Sequence, residues 1–341
     1  MDTPVSFRFS SATVDCHFGA GARELSHHCD RRRTVLLMDE NVHAQHARRF
    51  RGWDIHVIPP GEDRKVQATV DDIIDGLIRR RADRQSTLVG VGGGVVTDLA
   101  GYAASVYMRG IPFGFLPTTL LAMVDASIGG KNGIDVGPYK NMVGVIRQPR
   151  FILYDWAFLR TLHEAQWSDG FAEIVKHACI RDAVAFRQLE AADLAGLRRR
   201  REVLHGLIER NARLKCTIVR RDEFERGERR LLNFGHTLGH AIETVHGLSH
   251  GQAVAVGMVL AAGFSARLLG FRDIDRLRRV LEAFGLPTTQ PYDADRVWEV
   301  LSMDKKRVGG EMNYVLLERI GRGVVRSVPM RELEGWVRSP S

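Results

Sequence analysis

Short apolar runs alternate with polar, helix-like stretches through the first half of the chain. Residues 34–38 (TVLLM), 53–58 (WDIHVI) and 87–91 (TLVGV) are compact and rich in β-forming residues, and residues 66–81 have helical spacing. Strands that alternate with helices predict a parallel sheet covered on both faces. We therefore predict an α/β domain over residues 1–155.

Helical patterns dominate after Asp155, apart from a strand-like segment at residues 314–317. Ser168 or Asp169 is the expected N-cap of one helix, and residues 231–243 (LLNFGHTLGHAIE) predict another. Residues 253–266 form the most apolar long stretch, which is too short to span a bilayer and predicts a buried helix. The pattern predicts a mostly α-helical domain over residues 156–341.

Composition narrows the class of protein. The 341 residues are 44% hydrophobic and 26% charged, which is ordinary for a soluble globular protein, and the net charge of +8 attracts anionic small molecules. The arginine clusters at 31–33, 79–81 and 198–201 are not interleaved with aromatic residues, so we expect solvated surfaces and no nucleic-acid partner. Four scattered cysteines without a CxxC pair, and the absence of a signal-peptide pattern or membrane span, predict a cytoplasmic protein.

A triple glycine follows the strand-like run at 87–91. Glycines let backbone N–H groups approach a pyrophosphate, and a helix N-terminus favours its negative charge. The spacing is not GxGxxG, so the domain is Rossmann-like without the usual fingerprint. The turn alone suits tight packing and cofactor binding equally, but Asp39 at a strand end and Asp98 after the glycines favour a dinucleotide, with Glu62 and Lys65 flanking the site.

A second glycine-rich stretch carries Lys131, Lys140 and Asn141. Lysines supply point charges, and glycines let the backbone come close, which suits an oxyanion such as phosphate. Solvated lysines on a surface loop are the alternative, but hydrophobic runs bracket the stretch, so we expect a phosphate-binding loop.

Metal-ligand chemistry is concentrated in the second half. His236 and His240 are four residues apart and share a helix face, Glu173 and Lys176 lie in an apolar helical segment, and His250 leads into another apolar helix. Glu173, His236 and His250 would form a Glu/His/His site of the kind that catalytic zinc uses. Core histidines and a surface ion pair are the alternatives. The zinc-protease motif HExxH does not apply, because Thr237 occupies the glutamate position.

Six motifs together resemble 3-dehydroquinate synthase, the founding member of the sugar-phosphate cyclases. They are GGGVVTDLAGYAASVYMRG, PTTLLAMVDASIGGKNGID, KNMVG, GFAEIVKHACI, LLNFGHTLGHAIE and HGQAVAVGM, and the similarity runs from about residue 34 to residue 306. The resemblance implies an N-terminal NAD-binding α/β domain, a C-terminal helical metal domain, a homodimer with its active site between domains, bound NAD, and a divalent metal, either zinc or cobalt.

The resemblance also implies residue roles. The metal ligands would be Glu173, His236 and His250. The NAD contacts would be Asp39, Asn41, Glu62, Lys65, Gly93, Gly94, Asp98, Thr118, Thr119, Lys131, Lys140, Phe158 and Thr161. The catalytic residues would be Asp125, Lys131, Lys140, Lys176, Asn233 and His240. The substrate contacts would be Asn141, Lys215, Arg229, one of Lys305 and Lys306, and Arg109 reaching across from the other subunit.

The implied reaction converts 3-deoxy-D-arabino-heptulosonate 7-phosphate into 3-dehydroquinate and phosphate, through transient oxidation, elimination, re-reduction and intramolecular aldol cyclisation. Amino-dehydroquinate, 2-epi-5-epi-valiolone and 2-deoxy-scyllo-inosose synthases share the machinery and stay open as alternatives, as does a metal-dependent polyol dehydrogenase. Thr97 and Gln252 depart from the family pattern at positions outside the expected ligand set.

Overall fold

A computed structural model describes residues 4–137, 139–303, 307–308 and 310–339. The chain forms two compact units. The first contains residues 1–166 and 212–224, and the second contains residues 167–211 and 225–341. The predicted domain boundary lies between residues 155 and 156, whereas the chain first passes from one unit to the other between residues 166 and 167. Nothing in the sequence pattern indicates the return of residues 212–224 to the first unit, because one uninterrupted helix enters that segment.

The first unit is built on a seven-stranded sheet with the order β1-β2-β9-β6-β5-β3-β4. Neighbouring strands are parallel, except for β1 and β2 at one edge. The strands are β1 (Val5–Arg8), β2 (Thr13–Phe18), β3 (Thr34–Asp39), β4 (Asp54–Ile58), β5 (Thr87–Gly92), β6 (Phe113–Pro117) and β9 (Phe151–Tyr154), and β7 (Lys131–Val136) and β8 (Tyr139–Ile146) form a separate hairpin. The predicted parallel sheet is confirmed.

Three helices cover the parallel strands. They are α1 (Glu40–His46), α2 (Gln67–Arg79) and α3 (Gly94–Val106), and each follows a strand of the sheet. The strand β5 and most of α3 are buried, as expected for a sheet with helices on both faces. This arrangement brings the carboxyl ends of β3, β5 and β6 to one edge of the sheet.

The second unit is mostly helical. Its helices are α4 (Glu164–Arg181), α5 (Ala183–Glu190), α6 (Leu194–Arg199), α7 (Arg201–Arg221), α8 (His236–His246), α9 (His250–Leu269), α10 (Ile274–Ala283), α11 (Ala294–Met303) and α12 (Met330–Arg338), although α4 begins and α7 ends in the first unit. A small antiparallel sheet of β10 (Arg307–Val308), β11 (Glu311–Arg319) and β12 (Arg322–Pro329) completes it.

Helix α9 is the buried centre of the second unit, as the sequence predicts. It is 20 residues long, however, and its length and apolar composition would suffice to cross a membrane. The helix is longer than the predicted apolar stretch because it continues beyond residues 253–266 at both ends. Since 61% of its most apolar window is buried within the protein, α9 is best explained as a core helix.

The segment 212–224 is held in the first unit by a buried carboxylate. Glu223 accepts hydrogen bonds from the Ser10 backbone N–H at 2.8 Å, from the Ser10 hydroxyl at 2.5 Å and from Gln148 Nε2 at 2.9 Å. Buried charges require such partners. The end of α7 is thereby tied to the turn after β1 and to the chain after β8.

Candidate active site

Three helices of the second unit bring one carboxylate and two imidazoles together. Glu173 lies in α4, His236 is the first residue of α8 and His250 is the first residue of α9. Glu173 Oε1 is 3.4 Å from His236 Nε2 and 3.1 Å from His250 Nε2. One ligand atom from each residue lies within 4.8 Å of the other two, as a shared cation would require.

Glycines allow α8 and α9 to approach closely enough for this geometry. A Cβ on Gly257 would lie 1.9 Å from the Gly235 carbonyl oxygen, and one on Gly239 would lie 2.8 Å from the Ala253 carbonyl oxygen. Gly235 also has a φ of 79°, which glycine adopts without strain. The two helices are therefore in backbone contact beside their histidines.

Asp169 fixes the start of α9. Its Oδ1 accepts hydrogen bonds from Ser249 Oγ at 2.5 Å and from the Gly251 N–H at 3.1 Å, while Ser249 and Gln252 form a capping box. The prediction that Ser168 or Asp169 caps α4 is wrong, because α4 begins at Glu164. Asp169 instead accepts hydrogen bonds at the N-terminus of α9, from the residues on both sides of His250.

The electrostatics favour an ionised Glu173. Its side chain is fully buried and is ion-paired with Lys176, which is 1% exposed. Burial alone would raise the pKa of Glu173, but the Lys176 ammonium holds that pKa well below its ordinary value. Burial and the Lys176 charge lower the pKa of His236, so this imidazole is neutral and able to bind a metal.

The pKa of His250 shifts in the opposite direction to that of His236. Burial opposes the charged ring, yet Glu173 and Glu243 raise the pKa of His250 to about 10. Metal ligation requires a neutral imidazole, so a cation bound here would displace that proton. The donor set of one carboxylate and two imidazoles is the His₂Glu set of catalytic zinc sites, which leaves a further coordination position for a substrate oxygen. The residues fit a divalent metal.

The other predicted site residues described in the second unit are His240, which lies in α8, and Arg229 and Asn233, which precede α8. The His240 ring is 5.1 Å from the His236 ring and 6.0 Å from the His250 ring, measured between centroids. Arg229 is 2% exposed, and Asn233 Nδ2 donates to Glu225 Oε1 at 2.6 Å. Sequence reasoning missed Glu225, whose positive φ of 58° is unusual for a residue with a side chain.

In the first unit, the predicted dinucleotide residues gather at the carboxyl edge of the sheet. Strand order reverses between β3 and β5, and ligands of open α/β sheets bind at such switch points. Asp39 ends β3 and accepts from the Val42 N–H at 2.8 Å, while Gly93 caps α3 without a side-chain hydrogen bond. Thr118 follows β6, and its N–H donates to the Gly92 carbonyl.

The glycines of the β5–α3 turn differ in what surrounds them. A Cβ on Gly92 would lie 2.4 Å from the Val96 Cβ, so Gly92 is required for packing. A Cβ on Gly93 or Gly94 would approach the Thr119 or Ala126 side chain at 3.1 or 3.3 Å, which leaves a narrow space beside the helix N-terminus. This backbone is suited to a pyrophosphate.

Lys65 and Asp98 form a buried ion pair, with Lys65 Nζ 2.6 Å from Asp98 Oδ2 and 3.9 Å from Glu62 Oε1. Burial opposes the charged ammonium, but Asp98 holds the pKa of Lys65 above its ordinary value. Lys65 Nζ also donates to Asn141 Oδ1 at 2.6 Å. The predicted phosphate contact Asn141 thus lies with the predicted NAD residues.

The prediction that this glycine-rich stretch is a loop is wrong. Residues 131–136 and 139–146 are the strands of the β7–β8 hairpin, and the register pairs Lys131 with Ile146, whereas Lys140 lies beside the turn at the opposite end. Cβ atoms on Gly133 and Gly144 would meet backbone oxygens at 2.8 and 2.4 Å. These glycines therefore serve close strand pairing.

Asp125 and Lys215 meet within the first unit. Lys215 Nζ lies 2.9 Å from Asp125 Oδ2 and donates to the Asp125 carbonyl at 2.6 Å. Asp125 belongs to a π-helical turn, Ala122–Ala126, a feature that is frequent at functional sites. The return of residues 212–224 to this unit is what brings Lys215 to Asp125.

The remaining predicted residues differ in accessibility. Phe158 is 1% exposed and packs against His46, so the Phe158 ring is a core group. Thr161 Oγ1 lies 2.9 Å from His46 Nε2. Asn41, Glu62 and Arg109 are exposed, and Arg109 has a positive φ of 64°. Lys305 and Lys306 lie outside the described residues.

Comparisons with known proteins cover both units. The family model for the 3-dehydroquinate synthase N-terminal part matches residues 55–169, and that for the C-terminal part matches residues 170–307. A 3-dehydroquinate synthase of Halorhodospira halophila is 43% identical over 311 residues, which is 88% of each chain.

Two solved structures share the fold over nearly the whole chain. A 2-epi-5-epi-valiolone synthase from Streptomyces hygroscopicus with NAD⁺ and Zn²⁺ bound is 27% identical, with a TM-score of 0.87 and 99% of each chain covered. A 2-deoxy-scyllo-inosose synthase complexed with carbaglucose-6-phosphate, NAD⁺ and Co²⁺ is 25% identical, with a TM-score of 0.86, covering 98% of this chain and 99% of that chain.

Proposed function

The chain belongs to the 3-dehydroquinate synthase family, and we propose that it converts 3-deoxy-D-arabino-heptulosonate 7-phosphate into 3-dehydroquinate and phosphate as a phosphate-eliminating lyase. The observation that carries the proposal is the convergence of Glu173, His236 and His250 from three helices. The enzyme uses NAD and a divalent metal, as do the cyclases of known structure that share its fold.

We propose Glu173, His236 and His250 as the metal ligands. A metal held there would polarise a substrate hydroxyl, and NAD would supply a reversible hydride acceptor. Lys176 balances the charge of Glu173. We assign its ammonium the role of stabilising a substrate oxygen. Arg229 supplies a buried guanidinium for the substrate carboxylate, and His240 is the proton-transfer group beside the two ligand histidines.

Residues of the first unit have separate proposed roles. Asp39 accepts hydrogen bonds from ribose hydroxyls, and the N–H groups at Gly93 and Gly94 bind the pyrophosphate. Lys65, paired with Asp98, holds this edge of the sheet in place. Lys215 and Asp125 orient each other for contact with polar groups of the substrate.

We further propose a homodimer in which Arg109 reaches the partner's site. The support is an exposed apolar surface on the β7–β8 hairpin, formed by Val136, Tyr139, Met142, Val143 and Ile146. Strand β8 belongs to the two-stranded β7–β8 sheet, so it lies at a sheet edge. An apolar edge strand favours association with another strand, and a second copy of the chain supplies one.

The test is a substrate panel with NAD and zinc present. Protein is mixed with the heptulosonate phosphate, its amino analogue, sedoheptulose 7-phosphate or glucose 6-phosphate, and phosphate, NADH absorbance and product mass are followed. The proposal expects phosphate release only with the first substrate and no net NADH. Accumulating NADH would indicate a dehydrogenase, and turnover of another sugar phosphate would identify a different cyclase.

A substitution tests the metal ligands directly. His236→Ala is expected to lose bound zinc and activity together, because two remaining ligands do not retain the ion. The control is Gly206→Ala, at an exposed helical position where a Cβ meets nothing within 4 Å. Stoichiometric zinc in the His236→Ala protein would show that the ligand assignment is wrong.

A further inference from the structure

His250 lies between two carboxylates. Its Nε2 atom is 3.1 Å from Glu173 Oε1, and its Nδ1 atom is 3.8 Å from Glu243 Oε2. Nε2, which faces Glu173, belongs to the proposed metal site. The other ring nitrogen, Nδ1, faces Glu243. Glu243 was not among the residues that the sequence motifs singled out.

Glu243 shares a helix face with the other histidines of the site. In α8, His236, His240 and Glu243 follow one another at intervals of four and three residues, which places them along one stripe. Glu243 is 6% exposed, and potential ligand atoms of His240, Glu243 and His250 lie within 4.8 Å of one another. A buried carboxylate so close to a ligand imidazole is typical of a site that orients its histidine.

We propose that Glu243 is a positioning residue for the metal site, accepting the Nδ1–H of His250 so that the lone pair of Nε2 faces the ion. The proposal rests on the metal site of the proposed function. A neutral imidazole has one donor nitrogen and one acceptor nitrogen, and a partner that can only accept selects which of them carries the proton. An ionised carboxylate is such a partner.

Glu243→Gln is a sharp test because it keeps the size of the side chain. The amide can present its NH₂ group to Nδ1, which would favour the tautomer with its proton on Nε2 and without a lone pair for the metal. We expect zinc affinity to fall by about 10–100-fold, the usual effect of losing such a partner. Zinc affinity is measured by competition with a chromophoric chelator, without NAD or substrate.

The matched control is Glu282→Gln, which makes the same change at an exposed position of α10 in the same unit. The control is expected to bind zinc as the unmodified protein does. Thermal denaturation of the metal-free proteins separates loss of folding from loss of zinc affinity. A folded Glu243→Gln protein with unchanged zinc affinity would overturn the proposal.

A second measurement needs no variant. In zinc-loaded protein labelled with ¹⁵N-histidine, His250 is expected to carry its proton on Nδ1 and to bind zinc through Nε2. Zinc bound through Nδ1 would overturn the proposal even if Glu243→Gln does not fold. Intact zinc binding without dehydroquinate formation would instead refute the proposed function and leave the role of Glu243 standing.

Discussion

Replacing Gly257 by alanine is expected to separate α8 from α9 and to disrupt the candidate metal site. The new Cβ would lie 1.9 Å from the Gly235 carbonyl oxygen and 2.8 Å from the Gly239 nitrogen. A carbon–oxygen contact needs about 3.3 Å, so the two backbones must move apart by roughly 1.4 Å. Neither contact is with a flexible side chain that could rotate away.

The expected losses of stability and of zinc affinity follow from how little misfit a packed core and a metal site tolerate. Overpacking a core costs about 1–3 kcal/mol, and a clash between backbones belongs at the upper end of that range. For a unit of this size, we expect the melting temperature to fall by about 6–12 °C. Metal–ligand distances tolerate only about 0.2 Å, so a shift of this size between His236 and His250 should weaken zinc binding at least about tenfold.

Zinc competition and thermal denaturation measure both effects. The control is Gly335→Ala in α12, where a Cβ meets nothing within 4 Å, so alanine should be neutral or stabilise the helix by up to about 1 kcal/mol. If Gly257→Ala keeps the unmodified melting temperature and zinc affinity, the close helix contact does not determine the geometry of the site.

Three further predictions concern other charged groups. Lys65→Met should leave Asp98 unpaired, lower stability by about 3–5 kcal/mol and weaken NAD binding, whereas adding Asp98→Asn should restore part of the stability in denaturation curves. Arg229→Ala should reduce kcat/KM far more for the carboxylate-bearing substrate than for a sugar phosphate without it, and equal losses would indicate a structural arginine. Burial opposes ionisation of Asp182, but Arg210 and the Ala185 N–H hold the pKa of Asp182 below its ordinary value. Its ionised form therefore stabilises the protein above the unfolded-state pKa of about 3.9. Asp182→Asn should cost about 1–2 kcal/mol at pH 7, and the difference should disappear as acid protonates Asp182 in the folded protein.

Regular periodicity made the sheet and the histidine helix predictable. Strand β5 is observed at Thr87–Gly92, against a predicted 87–91, and the spacing of His236 and His240 correctly predicts that their rings are neighbours. Both inferences use local geometry, which depends on residues only a few positions apart.

The errors occur where contacts join distant parts of the chain. Asp169 was expected to cap its own helix but hydrogen-bonds Ser249 and Gly251, and spacing alone cannot reveal such a partner. The glycines around Lys131 and Lys140 predicted a loop, although they serve close pairing of two strands. The spacing of Glu243 from His236 and His240 places it on their helix face, but its contact with the His250 imidazole on another helix cannot be read from that spacing.

The course of α7 limits how this protein can be divided. The helix starts in the second unit and ends in the first, so the polypeptide passes between the units after residues 166, 211 and 224. No single cut yields both units whole. A fragment that stopped at residue 169, where one family model ends, would lack Glu223 and Lys215 and the contacts they make with Ser10, Gln148 and Asp125. A chimera that exchanges one unit for a homologous unit must therefore also match α7.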